Sequence, residues 1–164
     1  MIIIEGPDCT GKTTLAKKFG GQYFHCSYGD RWDIEMYHRL IAHTAGKLEQ
    51  IANVPCVIDR LCLSEAVYGS RFRGGPSYDT KELMSEIIAA YNPTLILCTA
   101  DPHEEYNKIK RAEMFETVDG LSELYQSHVA TGKYGKWWTY DYRQQDAREF
   151  IKTINGVNNE HDSS

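Results

Sequence analysis

The run Lys12-Thr13-Thr14 closes the stretch Gly6-Pro7-Asp8-Cys9-Thr10-Gly11, and the whole matches the spacing GxxxxGK[ST]. Such a loop is shaped around phosphate. Glycines at its two ends let the chain turn and bring backbone N–H groups inward, so Gly6, Cys9, Thr10, Gly11, Lys12, Thr13 and Thr14 form the expected cradle for a triphosphate tail. The start of a following helix adds unpaired N–H groups and partial positive charge. Lys12 then places a point charge on the β- and γ-phosphates, and the Thr13 hydroxyl is set to bind Mg²⁺. ATP and Mg²⁺ are the expected cofactors.

A second anchor is VIDRLCLSEAVYG at 57–69. An apolar strand that ends on Asp59 puts a carboxylate where metal and γ-phosphate meet, because the carboxyl ends of parallel strands border the ligand crevice. The plainer role for Asp59 is to cap the next helix. Arg60 follows, and its planar fork suits a phosphate clamp. Arg71 and Arg73 lie in the Gly/Pro stretch RFRGGPSYD, at 71–79. Lys108, Lys110 and Arg111 close a helix ahead of RAEMFETVDG. They either complement a helix dipole or belong to a lid over about 108–120, with Lys110 and Arg111 on the transferring group.

These residues need a frame to hold them. Short apolar runs at 2–5, 54–59, 94–100 and 137–142, with a weaker one at 22–28, alternate with longer helical periods. Helices are expected at 12–20, from Asp30 to near Asn53, and at 62–70, 80–91, 103–110, 119–131 and 144–154. Asp30, Asp79 and Asp119 are the candidate N-caps, and Pro93 is a stop. The pattern predicts an α/β fold of three layers, with a parallel sheet of about five strands between helices. One domain over 1–154 is expected, followed by a polar tail over 155–164.

Composition narrows the class. Of the 164 residues 41% are apolar and 25% charged, as in ordinary globular proteins. The net charge of −5 gives no long-range pull on polyanions, so nucleic acid is not the favoured partner and an anion site must be built locally. The five cysteines are scattered and without a CxxC pair, which points away from a disulfide framework or zinc and toward a cytoplasmic setting. Ile2 to Ile4 are too few for a signal peptide, and no run approaches a membrane span. The six histidines show no HExxH spacing, and no GxSxG elbow occurs.

EGPDCTGKTT resembles the EGxDGxGKTT start of thymidylate kinases, with Asp8 matching the acid in their loop and Cys9 replacing a usual glycine. DRLCLSEAVYG resembles their DR(Y/F)xxSxxAYQ segment, which matches Asp59, Arg60, Ser64 and Tyr68 and puts Gly69 in place of glutamine. PTLILCTADPHEEYNKIKR is similar to their later strand and lid entry. The form DRxxxSExVYGxxxRG also resembles small phage-encoded kinases of that superfamily. The resemblance implies a P-loop kinase fold with a short lid, nucleotide biosynthesis, a homodimer, and turn 141–144 near the adenine. One segment departs: GGQYFHCSYGDRWD stands at 20–33 in place of the family's TREPGG, which helps hold the acceptor phosphate. Arg31 or Arg71 then inherits that task.

The expected reaction is γ-phosphoryl transfer from ATP to a deoxynucleoside monophosphate, thymidylate above others. Asp8, Arg60, Ser64, Tyr68, Arg71 and Arg73 would bind that substrate. A monophosphate attacks through an oxygen already largely ionised at neutral pH, so it needs arginines and no base. A hydroxyl acceptor, on a deoxynucleoside or a modified base in phage DNA, needs a carboxylate such as Asp59 or Asp8 to take its proton. A nucleotide switch or ATPase is the third class. Against a guanine-reading switch, the nearest string to NKxD, at 107–110, lacks the acid. Tyr23, Phe24, Tyr28, Trp32, Tyr68 and Phe72 lie on segments expected to border the acceptor, with core packing the commoner fate of such rings.

Overall fold

The computed structural model describes residues 1–27, 33–99 and 120–161, the last five by backbone alone. Asn53 and Asn92 end two of its helices in the left-handed conformation, and Asp33 and Asp79 begin them with carboxylates that accept from the first turn's N–H groups. Those two helices are α2 (Ile34–Ala52) and α4 (Thr80–Tyr91). The others among the described residues are α1 (Lys12–Phe19), α3 (Cys62–Phe72), α5 (Leu121–Ala130) and α6 (Ala147–His161). Five strands alternate with them: β1 (Ile2–Glu5), β2 (Gln22–His25), β3 (Cys56–Asp59), β4 (Thr94–Cys98) and β5 (Trp137–Tyr140).

The strands form one parallel sheet in the order β2-β3-β1-β4-β5. Alternation along the central strands divides the core in two. Ile3, Ile58, Leu95 and Leu97 face one way, against α2, α3, α4 and α5. Ile4, Val57, Ile96 and Cys98 face the other, against α1 and α6. This period-2 split, with both faces covered, is the three-layer arrangement that the apolar runs predict. Because β1 leads into α1 on one face and β3 into α3 on the other, the carboxyl ends of these neighbours open a crevice between them. No described helix is long and apolar enough to cross a membrane.

Several boundaries differ from expectation. The cap of α2 is Asp33, whose side chain accepts from the Met36 N–H at 3.0 Å, while Asp30 lies outside the described residues. Asp119 also lies outside them, and α5 starts after Gly120 in the left-handed conformation with no side-chain cap. Helix α6 starts at Ala147 rather than 144, because the Asp146 carboxylate accepts from the Arg148 and Glu149 N–H groups at 2.8 and 3.2 Å. It runs on to His161, past the expected tail start at 155; Phe150 and Ile154 anchor it, and a nucleated helix extends at low cost. The end of α3 takes in Arg71 and Phe72 from the expected loop. The helix expected at 103–110 and nearly all of the lid lie outside the described residues.

The Asp79 cap is a checkable part of this frame. Asp79→Ala removes bonds to two N–H groups at 3.0 and 3.1 Å, and should lower the unfolding free energy by about 1 kcal/mol in urea titrations.

Candidate active site

Glu5 ends β1 and is fully buried, directly ahead of the phosphate-shaped loop. Its carboxylate accepts from the backbone N–H groups of Leu61 and Leu63, at 2.8 and 3.2 Å, and from the Ser64 hydroxyl. Ser64 also meets the Tyr125 hydroxyl at 2.7 Å. Glu5 therefore caps α3 from another strand, where Leu61 offers no side-chain cap of its own. Burial pushes its carboxyl above the usual carboxylate range, against the pull of the Ser64 and Leu61 hydrogen bonds.

The loop from Gly6 to Gly11 is tightly fitted. A Cβ on Gly6 would lie 2.5 Å from the Cys98 carbonyl oxygen, and its φ of 137° suits glycine alone. Cys9 has a φ of 60°, so it takes the left-handed conformation that the thymidylate kinase pattern leaves to glycine. Thr10, fully buried, donates its hydroxyl to the Pro7 carbonyl at 2.9 Å. Lys12 Nζ donates to the same carbonyl. Burial, then the Arg60 charge, lowers the Lys12 pKa to about 8, with Asp59 and Asp8 pulling it back up.

Asp59, at the end of β3, is fully buried. One oxygen, Oδ2, receives the Thr13 hydroxyl at 3.1 Å and the Tyr23 hydroxyl at 2.7 Å, with His25 Nδ1 at 3.5 Å. The other, Oδ1, is buried with no hydrogen-bond partner among the described residues. Asp59 thus engages the first turn of α1 and strand β2 through Oδ2 rather than capping α3. An orphaned carboxylate oxygen beside a threonine hydroxyl is a hard-oxygen donor set, and it fits Mg²⁺. Burial, with the bond to Asp59 behind it, pushes the Tyr23 hydroxyl up to about 12.

Arg60 has a φ of 73° and donates from Nη2 to Asp8 Oδ1, with its guanidinium 4.9 Å from the Tyr68 ring centroid. Tyr68 in turn donates to Asp8 Oδ2 at 3.3 Å.

Two cavities meet here. The first, of about 390 Å³, is lined by Cys9, Gly11, Lys12, Thr13, Thr14 and Asp59, with Tyr140 and Tyr142 opposite. The second, of about 540 Å³, is lined by Ser64, Glu65, Tyr68, Phe72 and Arg73 of α3 and its C-cap, and by His38 of α2. Asp8, His25 and Arg60 line both. The structure so brings together Lys12, Thr13, Asp59, Arg60, Asp8, Tyr68 and Arg73. Ser64 lines the larger cavity with its hydroxyl engaged by Glu5 and Tyr125. Arg71 is exposed and lines neither cavity. Arg31, Lys108, Lys110, Arg111, Tyr28 and Trp32 lie outside the described residues.

Sequence reasoning missed Glu5, His25, His38 and Glu65. A charged residue closing an apolar strand was the available signal for Glu5. For the histidines no motif existed, since each reaches the site only by the packing of its own element.

No protein-family model matches the chain, and no curated protein matches it in sequence. In three dimensions it superposes on the YorR protein of Bacillus subtilis, solved in complex with phosphorylated GDP, with a TM-score of 0.67 and 22% identity over 99% of this chain and 98% of that one. The deoxyadenosine kinase of M. mycoides with bound dCTP gives a TM-score of 0.55 and 18% identity over 98% of this chain and 100% of the other. A thymidylate kinase from Ehrlichia chaffeensis gives 0.48 and 12% over 93% and 97%. The five-stranded parallel sheet between helices, with its loop after β1, is a P-loop kinase fold.

The lowered Lys12 pKa sets a pH dependence. A bound polyphosphate raises that pKa, so affinity owed to the ammonium is whole below pH 8 and declines as pH rises through it. Calorimetric titration with ATP should show proton uptake near pH 8 and up to about tenfold weaker binding per pH unit above it.

Proposed function

We propose that this chain is a nucleotide kinase that moves the γ-phosphoryl group of ATP onto a deoxynucleoside monophosphate. The observation that carries the reading is the wall of Asp8, His25 and Arg60 held in common by the two cavities. A phosphoryl group handed directly from donor to acceptor must cross such a wall, and catalysis of that step is mostly positioning and charge stabilisation.

The smaller cavity is the donor side. Its loop amides and the Lys12 ammonium bind the triphosphate, which takes the place of the Pro7 carbonyl as the partner of Nζ. Mg²⁺, held by Thr13 and Asp59, would neutralise charge on the phosphate oxygens. Tyr23 and His25 orient the Asp59 carboxylate through Oδ2, which leaves Oδ1 for the ion. Arg60, always charged, stabilises the group in transit.

The larger cavity is the acceptor side. Arg60 and Arg73 both line it, and two guanidinium groups offset the repulsion between donor and acceptor phosphates. Tyr68 and Phe72, with ring centroids 5.8 Å apart, supply aromatic surface for a base. A second reading, transfer to a hydroxyl, is favoured by Asp8, whose carboxylate belongs to both cavities and could take the proton.

Lys12→Ala should cut turnover about 10²-fold or more while circular dichroism stays that of the wild type. Wild-type turnover in that variant would overturn the donor assignment. With labelled ATP, phosphate on monophosphates supports the first reading, and phosphate on deoxynucleosides alone replaces it with the second. ATP consumption without a phosphorylated product would refute both.

A further inference from the structure

His38 faces the larger cavity from α2 and does not line the smaller one, so it stands off the wall that the two share. Its ring is packed at 7% exposure, with the Tyr78 ring edge-on to it and the centroids 5.8 Å apart. Nδ1 lies 2.6 Å from the Tyr78 hydroxyl. Nε2 has no hydrogen-bond partner among the described residues, and the cavity reaches it. A histidine packed into a protein normally has its polar atoms satisfied. Here the protein satisfies one nitrogen and leaves the other to whatever fills the cavity.

The chemistry at Nε2 follows from that at Nδ1. Burial lowers the His38 pKa to about 4, against the opposing pull of the Glu65 carboxylate, so the imidazole is neutral at pH 7 and carries a single ring proton. Burial also pushes the Tyr78 hydroxyl well above its usual range, so it keeps its proton. An imidazole nitrogen accepts a hydrogen bond better than a phenol oxygen does, so Tyr78 donates to Nδ1 and the ring's own proton sits on Nε2. His38 thus offers an uncharged N–H to the cavity. Ile34, Tyr68 and Phe72 line the same space. A neutral donor among apolar and aromatic walls suits a nucleobase, whose edge carries carbonyl oxygens and ring nitrogens.

We infer that His38 is a substrate-binding residue that donates Nε2–H to a carbonyl oxygen or ring nitrogen of the acceptor's base, with Tyr78 as the positioning residue that fixes its tautomer. The inference rests on the larger cavity being the acceptor side, as proposed above.

Asparagine and glutamine divide the two ring nitrogens between them, since the Asn amide reaches about as far as Nδ1 and the Gln amide about as far as Nε2. The test uses the full chain and labelled ATP. The wild type is offered dAMP, dCMP, dGMP, dTMP and the four corresponding deoxynucleosides, and the preferred acceptor is then carried through both variants. His38→Asn keeps the bond to Tyr78 and loses the one to the base, so KM for the acceptor should rise about tenfold while kcat and KM for ATP stay within about twofold. His38→Gln keeps a donor at the cavity, so its acceptor KM should stay within about threefold of the wild type. The reverse pattern, or equal effects in the two variants, would give the ring a structural role and overturn the inference. Should the asparagine variant fail to fold, His38→Leu carries the same expectation against the glutamine control. As competitor, 2-deoxyribose 5-phosphate, or 2-deoxyribose where a nucleoside is preferred, should have the same inhibition constant in wild type and His38→Asn. A constant that rises with the KM would put the contact off the base and overturn the inference. Absence of product across the panel refutes the reading of the cavity itself, whereas product formed with an unchanged KM in His38→Asn refutes the role of His38 alone.

Discussion

The buried Glu5 carboxylate is the constraint on which the site depends. It is the last residue before the phosphate loop, and its three donors all come from the start of α3, just past Asp59 and Arg60. One side chain thus fixes the height of the loop relative to the Asp59 carboxylate and the Arg60 guanidinium. Hydrogen bonds to a charged group contribute roughly 1.5–3 kcal/mol each, against the several kcal/mol that burying a carboxylate costs. The net stabilisation is accordingly small. What Glu5 supplies is registration: the ends of β1 and β3 are pinned together through the Leu61 and Leu63 N–H groups, which have no other partner among the described residues.

Around that pin, the crevice follows from the direction of the chain. The sheet sends the connections after β1 and β3 to opposite faces, so the space between them is never filled by a helix. Left-handed backbone at Cys9 and Arg60 is concentrated on the rim of this space. Such conformations cost of order 1 kcal/mol or more for residues with a side chain, and persist where surrounding contacts over-determine them. Arg60 has those contacts in the Ile4 carbonyl, which accepts its N–H at 2.9 Å, and in Asp8 and Tyr68.

The proposed donor side was legible in the sequence because it is local. Eight consecutive residues, 6–13, carry the cradle, and the strand and helix on either side are marked by an apolar run and a regular period. The Asp59-Arg60 pair was legible for the same reason, at the end of another strand. The proposed acceptor side was legible in part: Asp8, Arg60, Ser64, Tyr68 and Arg73, all expected on the substrate, line the larger cavity, whereas His38 and Glu65 were not foreseen. Among its walls, His38 comes from α2, Glu65 from α3 and Arg73 from the α3 C-cap, where Gly69 lets the following loop settle on its own helix. The form DRxxxSExVYGxxxRG spaces Glu65 and Arg73 together, but no spacing rule ties His38 to them. The α2 cap shifted from the expected Asp30 to Asp33 because two acids three residues apart both precede the apolar period, and only geometry selects between them.

The common wall has a thermodynamic corollary. Asp8 and Arg60 hold each other, and each faces both chambers, so an anion drawing Arg60 toward one side alters the field felt on the other. The two ligands are then linked quantities: whatever factor the first applies to the second's dissociation constant, the second applies to the first's. Order of addition, where one is observed, would reflect kinetics alone, since around a closed cycle the same pair of residues must return the same free energy by either route.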